Sequence, residues 1–236
     1  MQKQFKEVGG YDLDMDITNC WYNKKCSEKC YANCIRYKLM YSLFNQSQLP
    51  EPLWEYRDLV AQENGDVGAF TKLNDISRKI DIWVENGKNV YIYSDNVGNG
   101  KTSWAIRLMY SYFDKIWHKS CFDCKALFVS VPKFLYNCKR SISQDVKGFE
   151  ELCNLISKVD LVVWDDIGEV AVTGYEHQIL FQYIDDRINS CKSNIYTSNK
   201  SSETLKDVLG DRLASRIYNC SVPIQFTEQD KRGWTS

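Results

Sequence analysis

Lys101 and Thr102 stand at the end of the Gly- and Asn-rich run Asn96-Val97-Gly98-Asn99-Gly100, and Ser103 follows them. A lysine and a hydroxyl placed together after such a loop suit a phosphate chain. The backbone N–H groups of the loop cradle the β- and γ-phosphates, the ammonium reaches them, and the hydroxyl holds Mg²⁺. The run departs from the G-x-x-x-x-G-K-S/T pattern at one position, where Asp95 replaces the first glycine. Asp tolerates turn conformations. Its carboxylate is expected to turn away from the phosphates, and it bears on hydrolysis rate more than on binding. A second group is the adjacent pair Asp165 and Asp166. Asp165 suits Mg²⁺ held through water, and Asp166 suits polarisation of an attacking water. Asn199 is placed to sense a γ-phosphate. Arg212 and Arg216 lie four apart, so on a helix they project from one face. Such an arginine either completes a neighbouring subunit's site or pairs with Asp207 or Asp211.

A third group is cysteine. Cys20, Cys26, Cys30 and Cys34 fall within fifteen residues, among Lys, Glu and Asn. On one straight helix, Cys26 and Cys34 would be about 12 Å apart along the axis. Four thiolates on one zinc ion, at about 2.3 Å each, must lie closer than that. A metal reading therefore requires a break between Cys26 and Cys30, with Cys34 entering the next helix. Zinc is favoured over an iron–sulfur cluster, although both accept four thiolates. Cys121 and Cys124 form a C-x-x-C pair with no second pair nearby, and read as a loop.

These groups need elements to position them. Val90 to Tyr93 reads as a strand running into the phosphate loop. Trp104, Ala105, Leu108, Met109, Tyr112 and Ile116 recur at helical spacing after it. Leu161 to Trp164 is apolar on both faces, as in a central parallel strand, and delivers the two aspartates at its carboxyl end. Ser193 to Asn199 is a short strand ending in a polar tip. Upstream, Cys34 to Leu43 reads as a helix, broken by SQLPEP at Ser47 to Pro52. Phe70, Leu73, Ile76, Ile80 and Trp83 mark another helix, ending at Asn86-Gly87. Strand Ala126 to Val131, a helix opened by Pro132, and an amphipathic helix from Gly174 to Ser190 complete the alternation. Lys139 and Arg140 end the Pro132 helix, on a solvated face or against phosphate. The pattern predicts an α/β chain in three parts: a Cys-rich module over 1–48, a helical linker over 49–88 and a nucleotide-binding core over 89–236.

Composition narrows the function classes. The 236 residues carry a formal net charge of −1, so contact with nucleic acid must be local. No apolar run approaches the ~20 residues of a membrane span. The N-terminus lacks a signal-peptide core. Ten cysteines without one suit a reducing, cytoplasmic setting.

With VGNGKT, LVVWDDIG, YTSN and LGDRLASRI in view, the chain resembles the AAA+ ATPases. Within them it is similar to the DnaC/DnaI-type replicative helicase loaders, over about Asn89 to Trp234. The resemblance implies a P-loop, RecA-like parallel sheet flanked by helices. The motifs then read as Walker A, Walker B, sensor 1 and the arginine-finger helix. It implies ATP or ADP with Mg²⁺, and slow, partner-stimulated hydrolysis. Arg216 would be the finger, with Arg212 its near neighbour and Lys231 or Arg232 near a second sensor. The chain's ending after a short strand at Val222 to Phe226 implies no C-terminal helical lid. Thr173 to Tyr175 would meet single-stranded DNA, and the Cys-rich module would grip a hexameric replicative helicase. Subunits would assemble head to tail in ATP. The module also resembles those of phage-encoded loaders.

Two other readings compete. A transposition helper of the IstB type shares the core motifs, and a nucleotide-gated adaptor would bind ATP while barely hydrolysing it.

Overall fold

The computed structural model describes residues 20–22, 34–55, 59, 65–144 and 146–228. Five strands form one parallel sheet in the order β2-β3-β4-β1-β5. They are β1 (Asn89–Tyr93), β2 (Ala126–Ser130), β3 (Leu161–Asp165), β4 (Ser193–Ser198) and β5 (Ser221–Gln225). The register sets Val90 against Ile195 and Val222, and Val163 against Phe128 and Ile195.

Alternation along each strand divides the core into two layers. Val90, Ile92, Phe128, Leu161, Val163 and Ile195 face one side. There they meet α1 (Ile35–Gln46), α2 (Val67–Arg78), α3 (Ile80–Glu85) and α4 (Lys101–Ile116). Tyr91, Leu127, Val129, Val162, Trp164 and Tyr196 face the other. That side is covered by α5 (Val131–Ser141), α6 (Phe149–Lys158), α7 (Gly174–Asn189) and α8 (Ser202–Asn219). Burial on both faces accounts for the unbroken apolar runs of the central strands.

Three helical readings depart from the sequence expectation. The single helix expected over Phe70 to Trp83 is two, α2 and α3, separated by Lys79 at φ −122°, ψ 26°. Phe149–Lys158 forms a helix that the sequence reading did not assign. The arginine-bearing helix is longer than Leu209 to Ile217, and it breaks inside that range. Gly210 sits at φ 76°, ψ 156°, outside helical geometry, and kinks α8 there.

The described part of residues 1–48 packs into the first layer. Met40, Leu43 and Phe44 of α1 are buried in it with Tyr22 and Leu49. The Phe44 ring stacks 5.1 Å from Trp21 and meets Phe113 of α4 edge-on at 5.1 Å. Tyr22 donates its hydroxyl to Asp114 at 2.6 Å, and the Arg36 guanidinium lies 3.2 Å over the Tyr22 ring. Past α1, the Ser47 carbonyl accepts a 2.7 Å hydrogen bond from Phe128 N on β2. At the opposite edge of the sheet, Pro223 occupies the middle of β5, where its missing N–H is tolerated.

Beneath the sheet, Arg187 is 1% exposed and donates only to neutral oxygens. These are Asn194 Oδ1 at 2.8 Å and the carbonyls of Ile156, Val159, Asp160 and Ser193 at 2.6, 2.9, 3.3 and 2.6 Å. Burial lowers its pKa to about 10, which leaves it charged at neutral pH. The guanidinium thereby ties the end of α6 and the turn before β3 to the start of β4. Both strands deliver site residues at their other ends.

Candidate functional site

The site lies where β1, β3 and β4 end side by side. β1 gives way at Ser94 to the loop Asp95–Gly100, and α4 begins at Lys101. Gly98 and Gly100 hold φ of 71° and 96°, left-handed values that side chains resist. Gly100 is the residue before the helix, and its carbonyl accepts from Trp104 N at 2.9 Å. Ser94 Oγ braces the turn, accepting from Asn96 N at 3.0 Å and from Asn99 Nδ2 at 2.7 Å. Lys101 is buried, and its ammonium donates to the Asn96 carbonyl at 2.7 Å and Asn99 Oδ1 at 3.1 Å. These acceptors fold the lysine back over the loop cavity that a phosphate would enter. Asn96 and Val97 are exposed, as is Asp95, while Thr102 and Ser103 are partly buried in the first helical turn.

β3 brings the two aspartates to this loop. Asp165 is 7% exposed and accepts from Thr197 Oγ1 at 2.7 Å. Burial pushes its carboxyl up to about 6, and the Asp166 charge adds to the rise. Hydrogen bonds from Thr197 and Thr102 and the Lys101 charge pull it back. A buried carboxyl hydrogen-bonded to the loop threonine is the pair of oxygen ligands expected beside Mg²⁺. Thr102 and Asp165 fit that ion. Asp166 turns out of the strand at φ 57°, and its N–H is held by Thr197 Oγ1 at 3.0 Å.

β4 lies between the other two strands and fastens both. Ile167 N donates to the Thr197 carbonyl at 2.9 Å, and Ser198 Oγ donates to the Ile167 carbonyl at 2.6 Å. On the other flank, Ser94 N donates to the Ser198 carbonyl at 3.2 Å. Asn199 follows directly, partly buried, and the Lys200 carbonyl next to it is held by Tyr91 Oη at 2.7 Å. Thr197 had no role of its own in the sequence reading, yet it touches both aspartates. Its signal was its place two residues before Asn199 on a strand that must adjoin β3.

Arg212 and Arg216 stand together on α8, against α7. Arg216 Nε is 2.8 Å from Asp185 Oδ1, and the Arg212 guanidinium lies 4.3 Å over the Phe181 ring. The expected pairing of one of them with Asp207 or Asp211 is replaced by a pairing with Asp185 of α7. Thr173 and Glu176 close a capping box at the start of α7, and Lys139 pairs with the buried Glu176 at 3.2 Å. Beside them, Tyr175 is 46% exposed.

A model of the IstB-like ATP-binding proteins matches residues 69–219. The chain belongs to this family. Like other IstB-like proteins it is an AAA+ ATP-binding chain related to the helicase loaders. It is 27% identical over 157 residues to the replicative helicase loader DnaC of Escherichia coli K12, covering 66% of this chain and 61% of that one. The match thus spans about three-fifths of the relative's length. Among solved structures, DnaI superposes with a TM-score of 0.62 at 20% identity, over 76% of this chain and 95% of that one. The DnaC helicase loader gives 0.58 at 20%, over 72% and 94%. Both share the fold of this IstB-like protein.

The cysteine reading meets less structure. Cys20 and Cys34 are partly buried, and Cys34 stands at the cap just before α1, one residue short of the expected helix start. Cys26 and Cys30 lie outside the described residues, as do Lys231 and Arg232. Among the described residues no cluster of three or more His, Cys, Asp or Glu could hold a metal ion. Cys124 sits in a loop with its thiol pushed up to about 11 by burial, so the thiol keeps its proton at neutral pH. Among the described residues no helix is long and apolar enough to cross a membrane.

Proposed function

We propose that the protein is an ATP-dependent loader of a hexameric replicative helicase. The observation that carries this reading is the similarity to DnaC over 157 residues, 66% of this chain. In this reading the loop Asn96–Ser103 binds the phosphates of ATP or ADP, with Lys101 moving from the Asn96 carbonyl to phosphate oxygen. Thr102 and Asp165 hold Mg²⁺, which supplies charge neutralisation of the phosphates. Asp166 takes the proton of the attacking water, and Asn199 fixes that water against the γ-phosphate. Arg216, presented by Asp185 and assisted by Arg212, completes the site of the next subunit in a head-to-tail assembly. Single-stranded DNA runs past Thr173 to Tyr175, where the exposed Tyr175 ring offers a stacking surface. Cys20, Cys26, Cys30 and Cys34 bind zinc and form the part of the chain that grips the helicase.

A second reading, a transposition helper, is favoured by the family model that matches the core. The two separate in a pull-down from host lysate, with the full chain as bait, with and without ATP. A replicative helicase retained by the wild type and lost from a Cys26→Ser, Cys30→Ser variant supports the loader and the role of the cysteines. A transposase in its place supports the helper. Neither partner under any condition sinks the loader reading.

A further inference from the structure

The phosphate loop is held from outside by a part of the chain that none of its motifs include. Asn96 Nδ2 donates to the carbonyls of Thr227 and Glu228 at 3.1 and 3.3 Å, and Asn99 Nδ2 donates to the Glu228 carbonyl at 3.3 Å. Those two residues leave β5 and are gripped in turn by Asp66, which precedes α2. The Asp66 carboxylate accepts from Thr227 N at 2.7 Å, Thr227 Oγ1 at 2.7 Å and Glu228 N at 3.1 Å. Glu228 Oε1 returns the contact, accepting from Asp66 N at 2.8 Å. Asp66 is 6% exposed and Glu228 is 9% exposed. Gly65 leaves the room: a Cβ there would stand 1.7 Å from Glu228 Oε1.

We propose that Asp66 is a positioning residue for nucleotide binding, acting through Thr227 and Glu228 on Asn96 and Asn99 and so on the seat of Lys101. The proposal rests on the phosphate loop being a nucleotide site. Three hydrogen bonds to one buried carboxylate fix the 227–228 backbone, and charge-assisted bonds of this kind are about twice as strong as neutral ones. With the backbone fixed, its carbonyls orient both loop asparagines. Asn99 has its Nδ2 committed to Ser94 and Glu228, so its Oδ1 is turned toward Lys101. The asparagine therefore offers the lysine an acceptor at a fixed point beside the phosphate position. Removing the clasp frees both asparagines to rotate, and a loop that must be ordered on binding binds more weakly.

The test measures the affinity of a fluorescent ADP analogue and the nucleotide-free melting temperature for the full chain. Asp66→Asn puts an amide donor where a backbone N–H now donates. It is expected to weaken ADP binding about tenfold, and Asn99→Ala by a similar factor. The double variant is expected to lose no more than either single, because both break one relay. Thr227→Ser, which keeps the hydroxyl donor, is expected to bind like wild type. Should Asp66→Asn melt below the assay temperature, Thr227→Val removes one of the three bonds and asks the same question. A variant with a lowered melting temperature and unchanged ADP affinity would overturn the proposal, as would losses that multiply in the double variant. A wild type that binds no ADP, and does not differ from Lys101→Ala, sinks the nucleotide site and the proposal together.

Discussion

Asp165 concentrates the chemistry of the site, and its protonation can be followed. Its carboxyl is raised to about 6, so in the nucleotide-free protein it keeps a proton at pH values where the unfolded chain has lost it. Between about pH 4 and 6 the native state binds the extra proton, and stability through this group falls as pH rises. In the proposed site, magnesium–nucleotide binding needs the carboxylate, so affinity is expected to rise over the upper part of the same window. Titrations from pH 5 to 8 should show Mg²⁺-dependent ADP affinity climbing through about pH 6 and levelling above it. Asp165→Asn should flatten the curve, and an unchanged curve would remove Asp165 from the ion. Asp166→Asn should keep ADP binding and abolish phosphate release. Turnover that survives it would assign the base elsewhere, and a wild type without turnover would favour the adaptor. The residues around Lys101 were legible in the sequence because their signal is local, five or six neighbours in one loop. Asp66 was not, since its partner Thr227 is 161 residues away and nothing near either one marks it.

At the scale of elements, the central strands declare themselves by continuous apolar runs, and the helices by spacing. The unassigned α6 carried the same signal in Phe149, Leu152, Cys153 and Ile156, which pack on the second layer. It is short and follows a polar stretch, which hid it. Arg187 carried no such signal. An arginine on an amphipathic helix reads as solvated, yet this one is enclosed and donates to four backbone carbonyls. Arg187→Met should strip a donor from each of those carbonyls, of which Asp160 keeps its bond from Ser193 N, and cost about 3 kcal/mol. Chemical denaturation of the purified variant measures this, and a loss under about 1 kcal/mol would mean that water replaces the guanidinium.

At the scale of the molecule, the described residues before 49 are built into the first core layer. Met40, Leu43 and Phe44 are each no more than 1% exposed. Burying three such side chains contributes about 6 kcal/mol, a large share of the ~5–15 kcal/mol that holds a domain folded. A protein lacking residues 1–48 is therefore expected to melt without a cooperative transition. The full chain with Cys26→Ser and Cys30→Ser should melt cooperatively and lose bound zinc by elemental analysis. A well-folded truncation would mean that the first layer closes without α1.

The two flanks of the sheet carry a consequence for how copies of this chain can meet. An open strand edge invites another chain to extend the sheet, which is the route to fibres as well as to some ordered assemblies. Here Pro223 removes a donor from the β5 flank, and the Ser47 carbonyl occupies a donor on the β2 flank. Growth by strand addition is thus discouraged at both ends. The head-to-tail assembly proposed above would therefore be made by side chains on helices and loops, where contacts can be made and broken within one cycle of nucleotide exchange. A continuous sheet running from copy to copy would bind too persistently for that.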